Sequence, residues 1–225
     1  MPDAALPADP DPDLAAHLAV AKYGRFLLTD AVRPAVGVPV LPREGYRVEV
    51  FRDRASRLRL PMLSAAVSGE RLFDVFLDLL KPLGKTVHAV FESSHAAGSA
   101  AAAGTTDYRR NHIDAPVLAS HLCDFEDLLL NDGCTGVAVL SARRPVEVQF
   151  DEHKLLTVYA ADLRPFRRVL RAYGIRRRES LPLIAEAEHL HHSTAAHADR
   201  FEQLCHRVGV ADYENAMSDD ESFFE

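Results

Sequence analysis

Apolar and polar positions alternate through YRVEVFRD (46–53) and RLRLPMLSAAV (57–67), which predicts two strands, paired with each other by proximity. Pro61 in the second has no N–H to give a ladder, so an edge strand or a bulge is expected there. GERLFDVFLDLLKPLG (69–84) switches to the helical period. Leu72, Phe73, Phe76, Leu79, Leu80 and Leu83 leave only a narrow polar stripe, so this helix is expected to be buried. A short apolar strand, KTVHAVFES (85–93), follows. Residues 95–111 are small and polar without periodicity, and read as a long loop between halves.

Asp114 with Pro116 opens a helix reaching about Leu130, which Asn131-Asp132-Gly133 ends. Strands are predicted at 135–141, 145–150 and 155–160, the last two joined by DEHK (151–154) as a hairpin. DLRPFRRVLRAYG (162–174) is an amphipathic helix closed by Gly174. LPLIAEAEH (181–189) reads as a strand, and a final helix spans 195–208, stopped by Gly209. Near the start, Asp13 caps a predicted helix over Leu14–Leu28, weakened by Gly24.

These elements predict an α+β fold of two similar mixed α/β layers, ββαβ and βββαβ, with flanking helices. VEVFRD (48–53) resembles VEVQFD (146–151), and each segment continues with a helix ending in glycine, which raises an internal duplication. The expected organisation is a leader (1–13), one globular unit over 14–210 with halves at about 44–95 and 114–192 and a loop at 96–111, and a tail (211–225).

Charge changes this picture at the ends. The net charge is −7, but residues 1–13 hold four acids and 211–225 six, with no base in either; the remainder carries 23 acids against 26 bases. Acidic ends thus flank a mildly basic body. No apolar run approaches the roughly 20 residues that span a bilayer, and the acidic, proline-rich start is unlike a secretory signal. Three cysteines at wide spacing form neither a disulfide framework nor a zinc ribbon. A cytoplasmic protein with reduced thiols is expected, its cysteines serving as packing residues.

Candidate chemistry concentrates in AEAEHLHHSTAAH (185–197). If 183–192 is extended, His189 and His191 share one face while Glu186 and Glu188 take the other, giving two cis imidazoles for zinc or iron; His95 or His88 is then the third ligand. If the chain turns helical at 187, Glu188 aligns instead with His191 and His192. The expected ligand set is therefore Glu188, His189, His191 and His95. The structural alternative is a solvated strand-to-helix junction at which Ser193 or Thr194 caps the last helix. The repeated Glu-x-x-His spacing (Glu92/His95, Glu188/His191) resembles that of carboxylate-bridged di-iron proteins, which carry it on bundled helices and not on strands.

Arg164, Arg167, Arg168 and Arg171 fall at i, i+3, i+4 and i+7, forming a cationic helix face that suits an acidic protein partner or the chain's own acidic tail. An ordinary solvated face is the plainer reading. The pI near 5.9 and the lack of interleaved aromatics disfavour nucleic acid. Finally, Glu152 and Lys154, with Asp132 or Asp151, supply Asp and Glu-x-Lys. In the order α-βββ-αβ from residue 114, these are similar to restriction-endonuclease-like nucleases, and that resemblance implies magnesium chemistry. It departs in placing Glu-x-Lys in a hairpin turn. No glycine-rich phosphate loop or nucleophile elbow occurs.

The favoured expectation is a non-catalytic binding or regulatory module that needs no cofactor. The alternative is a divalent-metal-dependent hydrolase or nuclease-like enzyme, with its site near 186–192 or 151–154.

Overall fold

The computed structural model describes residues 16–38, 41–52, 59–95 and 105–212. Its strands are β1 (Lys22–Tyr23), β2 (Phe26–Leu27), β3 (Val32–Pro34), β4 (Gly45–Arg52), β5 (Arg59–Ala66), β6 (Thr86–Ser93), β7 (Thr106–Asp114), β8 (Thr135–Ser141), β9 (Glu147–Phe150), β10 (Leu156–Tyr159), β11 (His189–His191) and β12 (Ala211–Asp212). The helices are α1 (Gly69–Leu80), α2 (Ala115–Asp124), α3 (Glu126–Asn131), α4 (Arg164–Ala172) and α5 (Ala195–Val208). Eight strands form one sheet in the order β12-β7-β6-β8-β9-β10-β5-β4, each neighbour antiparallel to the next. Two small ribbons, β1-β2 and β3-β11, lie outside it.

Alternation along the strands divides the sheet's faces. Leu63, Val87, Ala89, Phe91, Val139, Val148, Leu156 and Val158 are fully buried and join Leu72, Phe76, Leu79, Leu118, Leu122, Phe166 and Leu170 of the helices in one core. Between them, Glu92, Glu147, Gln149 and Tyr159 occupy the alternate positions and are half-buried. The apolar face of α1 predicted from its period is the buried one. Helix α5 starts at Thr194, whose side chain accepts from His197 N, and stops at Gly209 with φ 69°.

The α+β class holds, with the strands of both segments joined in one sheet. Their topologies do not repeat. The strand after α1 is the long β6 inside the sheet, whereas the chain after α4 runs irregularly through a 3₁₀ turn at Ile184–Glu186 to β11, which pairs with β3. The strand expected at 181–189 is therefore absent. Its apolar residues Leu181, Leu183 and Ile184 pack against Phe26, Leu28, Val32 and Leu155 in a second cluster without forming a ladder.

Four further expectations change. The loop at 96–111 ends by 105, because Thr106–Asp114 is a nine-residue strand beside β6; charged Arg109 and Arg110 hid its pattern. The helix from Asp114 breaks at Phe125 into α2 and α3. In place of a helix through Leu28, Gly24 (φ 63°) turns the β1-β2 hairpin. Strand β5 is interior, β4 being the edge. Pro61 is accommodated because β10 pairs only as far as Met62, and beyond it the Pro61 carbonyl still accepts from Ala160 N at 3.2 Å. The leader (1–13), and the acidic tail beyond residue 212, fall outside the described residues. No helix among the described residues is long and apolar enough to cross a membrane.

Candidate metal centre

The antiparallel register brings four chain segments to one end of the sheet. Ser93 at the end of β6 faces Thr135 at the start of β8, and the β9-β10 turn arrives beside them because Phe150 faces both Val137 and Leu156. The fourth segment is β11, drawn in by Gly133. His192 N donates to Ala31 O at 2.8 Å, and Gly133 N donates to His192 O at 2.7 Å. A Cβ on Gly133 would collide with Ala31 O and lie 2.9 Å from His192 O, so only glycine permits this three-way backbone approach.

The turn 151–155 is built by Asp151, whose carboxylate accepts from Leu155 N at 2.8 Å. Lys154 takes the left-handed conformation (φ 61°), which turns its side chain inward. There Lys154 Nζ donates to Thr135 O at 2.9 Å and lies 5.3 Å from the Phe150 ring centroid. Burial lowers the Lys154 pKa to about 8, against the pull of Asp132, Asp151 and Glu152. With Lys154 folded in, His153 points toward β11.

His153, His189 and His191 form a triangle of imidazoles. Their ring centroids are 4.7, 4.9 and 4.9 Å apart, and one ring nitrogen from each lies within 4.8 Å of the others. The rings are also oriented from behind. His189 Nδ1 is 2.7 Å from Ala187 O, and His191 Nδ1 is 2.7 Å from Gly133 O. A carbonyl only accepts, so both Nδ1 atoms carry the proton and both Nε2 lone pairs are left for a ligand. His153 Nδ1 stands 3.6 Å from Asp151 Oδ2 and 3.5 Å from Glu152 Oε1. Acceptors behind each ring are the arrangement that metal-bound histidines use.

The electrostatics agree with a neutral ring at His191. Burial lowers the His191 pKa, opposed by the Gly133 carbonyl and aided by the neighbouring imidazoles. Burial also opposes the charged form of His153, but the hydrogen bond and charge of Asp151, with Glu152, outweigh it and raise the pKa. Beside His191 opens a cleft of about 330 Å³ lined by Glu92, Cys134, Gly136 and Glu152. Glu92 is pushed up to about 7 by burial and then by the charges of Asp107, Glu152, Glu147 and Asp151.

Of the expected ligands, His189 and His191 meet on one face of β11, as extended backbone requires. Glu188 is exposed and outside the triangle. His95 is likewise elsewhere, in a group with Asp132 and Cys134: its Nε2 is 2.8 Å from Asp132 Oδ2. His88, the other candidate third ligand, is buried beside Asn111 and His112. The third imidazole is His153, which was legible only as part of DEHK and carried no spacing signal toward 189–191. In the nuclease-like reading, Asp132 is fully buried and hydrogen-bonded by His95, Thr135 and Cys134 N, and among the described residues Glu152 belongs to no group of three or more metal-ligating side chains. Cys134, expected as packing, is half-buried at the cleft.

The arginine face stands apart. Arg164, Arg168 and Arg171 are exposed on α4, Arg164 pairing with Asp162 at 2.8 Å, while Arg167 is half-buried with its Nε 3.4 Å from Tyr46 Oη. Comparison with known proteins leaves the geometry to speak alone: no protein-family model, no curated protein and no solved structure matches this chain.

Proposed function

We propose that this chain binds a divalent transition metal, zinc in the first instance, through His153, His189 and His191, and that the centre supports hydrolysis. The observation that carries the reading is the triangle of imidazoles, with carbonyls hydrogen-bonded behind His189 and His191 and carboxylates 3.5–3.6 Å behind His153. Three nitrogen donors suit zinc better than magnesium or calcium, which prefer oxygen. Zinc–nitrogen bonds of about 2.1 Å need donor nitrogens roughly 3.4 Å apart, within reach of small side-chain rotations from the separations here. Three protein ligands leave a fourth position for water, whose pKa a zinc ion lowers to about 7. Glu152 lines the cleft and would be the carboxylate to take that proton, leaving Asp151 as the acceptor behind His153.

The test is elemental analysis of untagged, gel-filtered protein after zinc supplementation, with melting curves before and after EDTA. Near-stoichiometric zinc, a lower midpoint on chelation, and loss of both in His153→Ala and in the double variant His189→Ala/His191→Ala are expected. Binding at 100 times Kd corresponds to about 2.7 kcal/mol of added stability. Metal-free protein with an unchanged melt overturns the proposal.

A second reading, recognition of an acidic partner through α4, is favoured by the exposure of Arg164, Arg168 and Arg171 on one helix face.

A further inference from the structure

Behind the cleft, Cys134, His95 and Asp132 form a second group, sharing no residue with the imidazole triangle. One donor atom from each lies within 4.8 Å of the others. Asp132 is fully buried at the junction of α3 and β8. Its Oδ2 accepts from Thr135 Oγ1 and lies 2.8 Å from His95 Nε2, while Oδ1 accepts from Cys134 N at 3.2 Å and has His197 Nδ1 at 3.7 Å. Both carboxylate oxygens are thus occupied by donors, and the group works as an orienter and not as a metal ligand. Burial resists its charge, but the His95 and Thr135 hydrogen bonds hold Asp132 well below the usual carboxylate range. An ionised Asp132 keeps the proton on His95 Nε2 and leaves the lone pair on the other ring nitrogen. Cys134 borders the cleft of Glu92, Gly136 and Glu152, and the buried Lys154 ammonium donates to the carbonyl of the next residue, Thr135, at 2.9 Å.

We propose that Cys134, His95 and Asp132 form a nucleophile–base–orienter triad that makes Cys134 a reactive thiol toward carbon electrophiles admitted by the cleft, activated acyl groups in particular. His95 takes the thiol proton. The sulfur then forms a bond to the electrophilic carbon as the bond to the leaving group breaks, and that group departs with its electron pair, an alcohol recovering the proton from His95.

The experiment is alkylation of the untagged full chain by iodoacetamide at pH 7, before and after EDTA, with each cysteine-bearing peptide followed by mass spectrometry. Here the sulfur–carbon bond forms as iodide leaves. Cys123 is the internal standard, because it is exposed whereas Cys134 is only half-exposed. An ordinary thiol is a few per cent thiolate at pH 7, so assistance by His95 should make Cys134 react about tenfold faster than Cys123 despite its lower exposure. His95→Gln should bring Cys134 to or below the Cys123 rate and leave Cys123 unchanged. A slower Cys134 in the unaltered protein overturns the proposal without any variant, so a His95→Gln protein that failed to fold would not shield it. A fast rate that survives His95→Gln overturns the triad as well. Zinc that protects Cys134 in His189→Ala/His191→Ala would make the group metal ligands and overturn it too. Loss of the imidazole centre alone leaves the thiol rate unaffected, so the two proposals fail separately.

Discussion

A carboxyl crowded by other carboxyls reports its surroundings through its proton. Glu92 lies among Asp107, Glu147, Asp151 and Glu152, and its pKa of about 7 stands above the ordinary value near 4.5. The folded state therefore keeps a proton that the unfolded chain releases, and stability falls as pH rises from about 4.5 through 7. Glu92→Gln removes that loss. In EDTA-treated protein the variant should be more stable than the parent at pH 8, by about 2 kcal/mol once solvent screening of this half-buried group is discounted, and nearly equal at pH 4.5, as urea titrations would show. An equal gain at both pH values would mean that packing, not charge, sets the effect. None of this was legible in the sequence. Asp107 lies in a stretch without periodicity, and only the β6-β7 ladder sets it directly opposite Glu92.

At the scale of elements, periodicity disclosed what lies in regular structure and missed what depends on pairing. Helix α1, the β9-β10 hairpin and the capped α5 follow from local pattern, because their buried faces and end residues are close in sequence. Strand β7 and the irregular path before β11 depend on partners far along the chain, which no local period records. Two of the three proposed ligands were visible for that reason: His189 and His191 share a face by strand geometry, whereas His153 joins them through a turn whose direction Lys154 sets. Gly133 is the joint on which this meeting depends. Gly133→Ala should cost about 2 kcal/mol by forcing apart the backbones at Ala31 and His192, and should weaken zinc binding by displacing the carbonyl behind His191. A urea midpoint and zinc affinity both unchanged would show that the junction relaxes without moving the ring.

Over the whole molecule, charge is distributed more unevenly than the net value suggests, with acids crowded at both ends of the chain and exposed arginines on α4. Replacing Arg164, Arg168 and Arg171 together by glutamate should leave the thermal midpoint within about 3 °C, since exposed charges contribute little to stability. It should also abolish the salt-sensitive binding of an acidic peptide with the sequence of residues 213–225, measured by fluorescence anisotropy. Binding that survives the reversal removes α4 as the recognition surface. The β3-β11 ribbon has a consequence of its own. It joins residues 32–34 to residues 189–191, nearly the two limits of the described chain, and His189 and His191 lie on its second strand. A nascent or truncated chain lacking either partner has His153 but no frame to set the other imidazoles against it. Bound metal would then count only finished molecules, and the fraction of protein loaded would serve as a gauge of how many chains have closed.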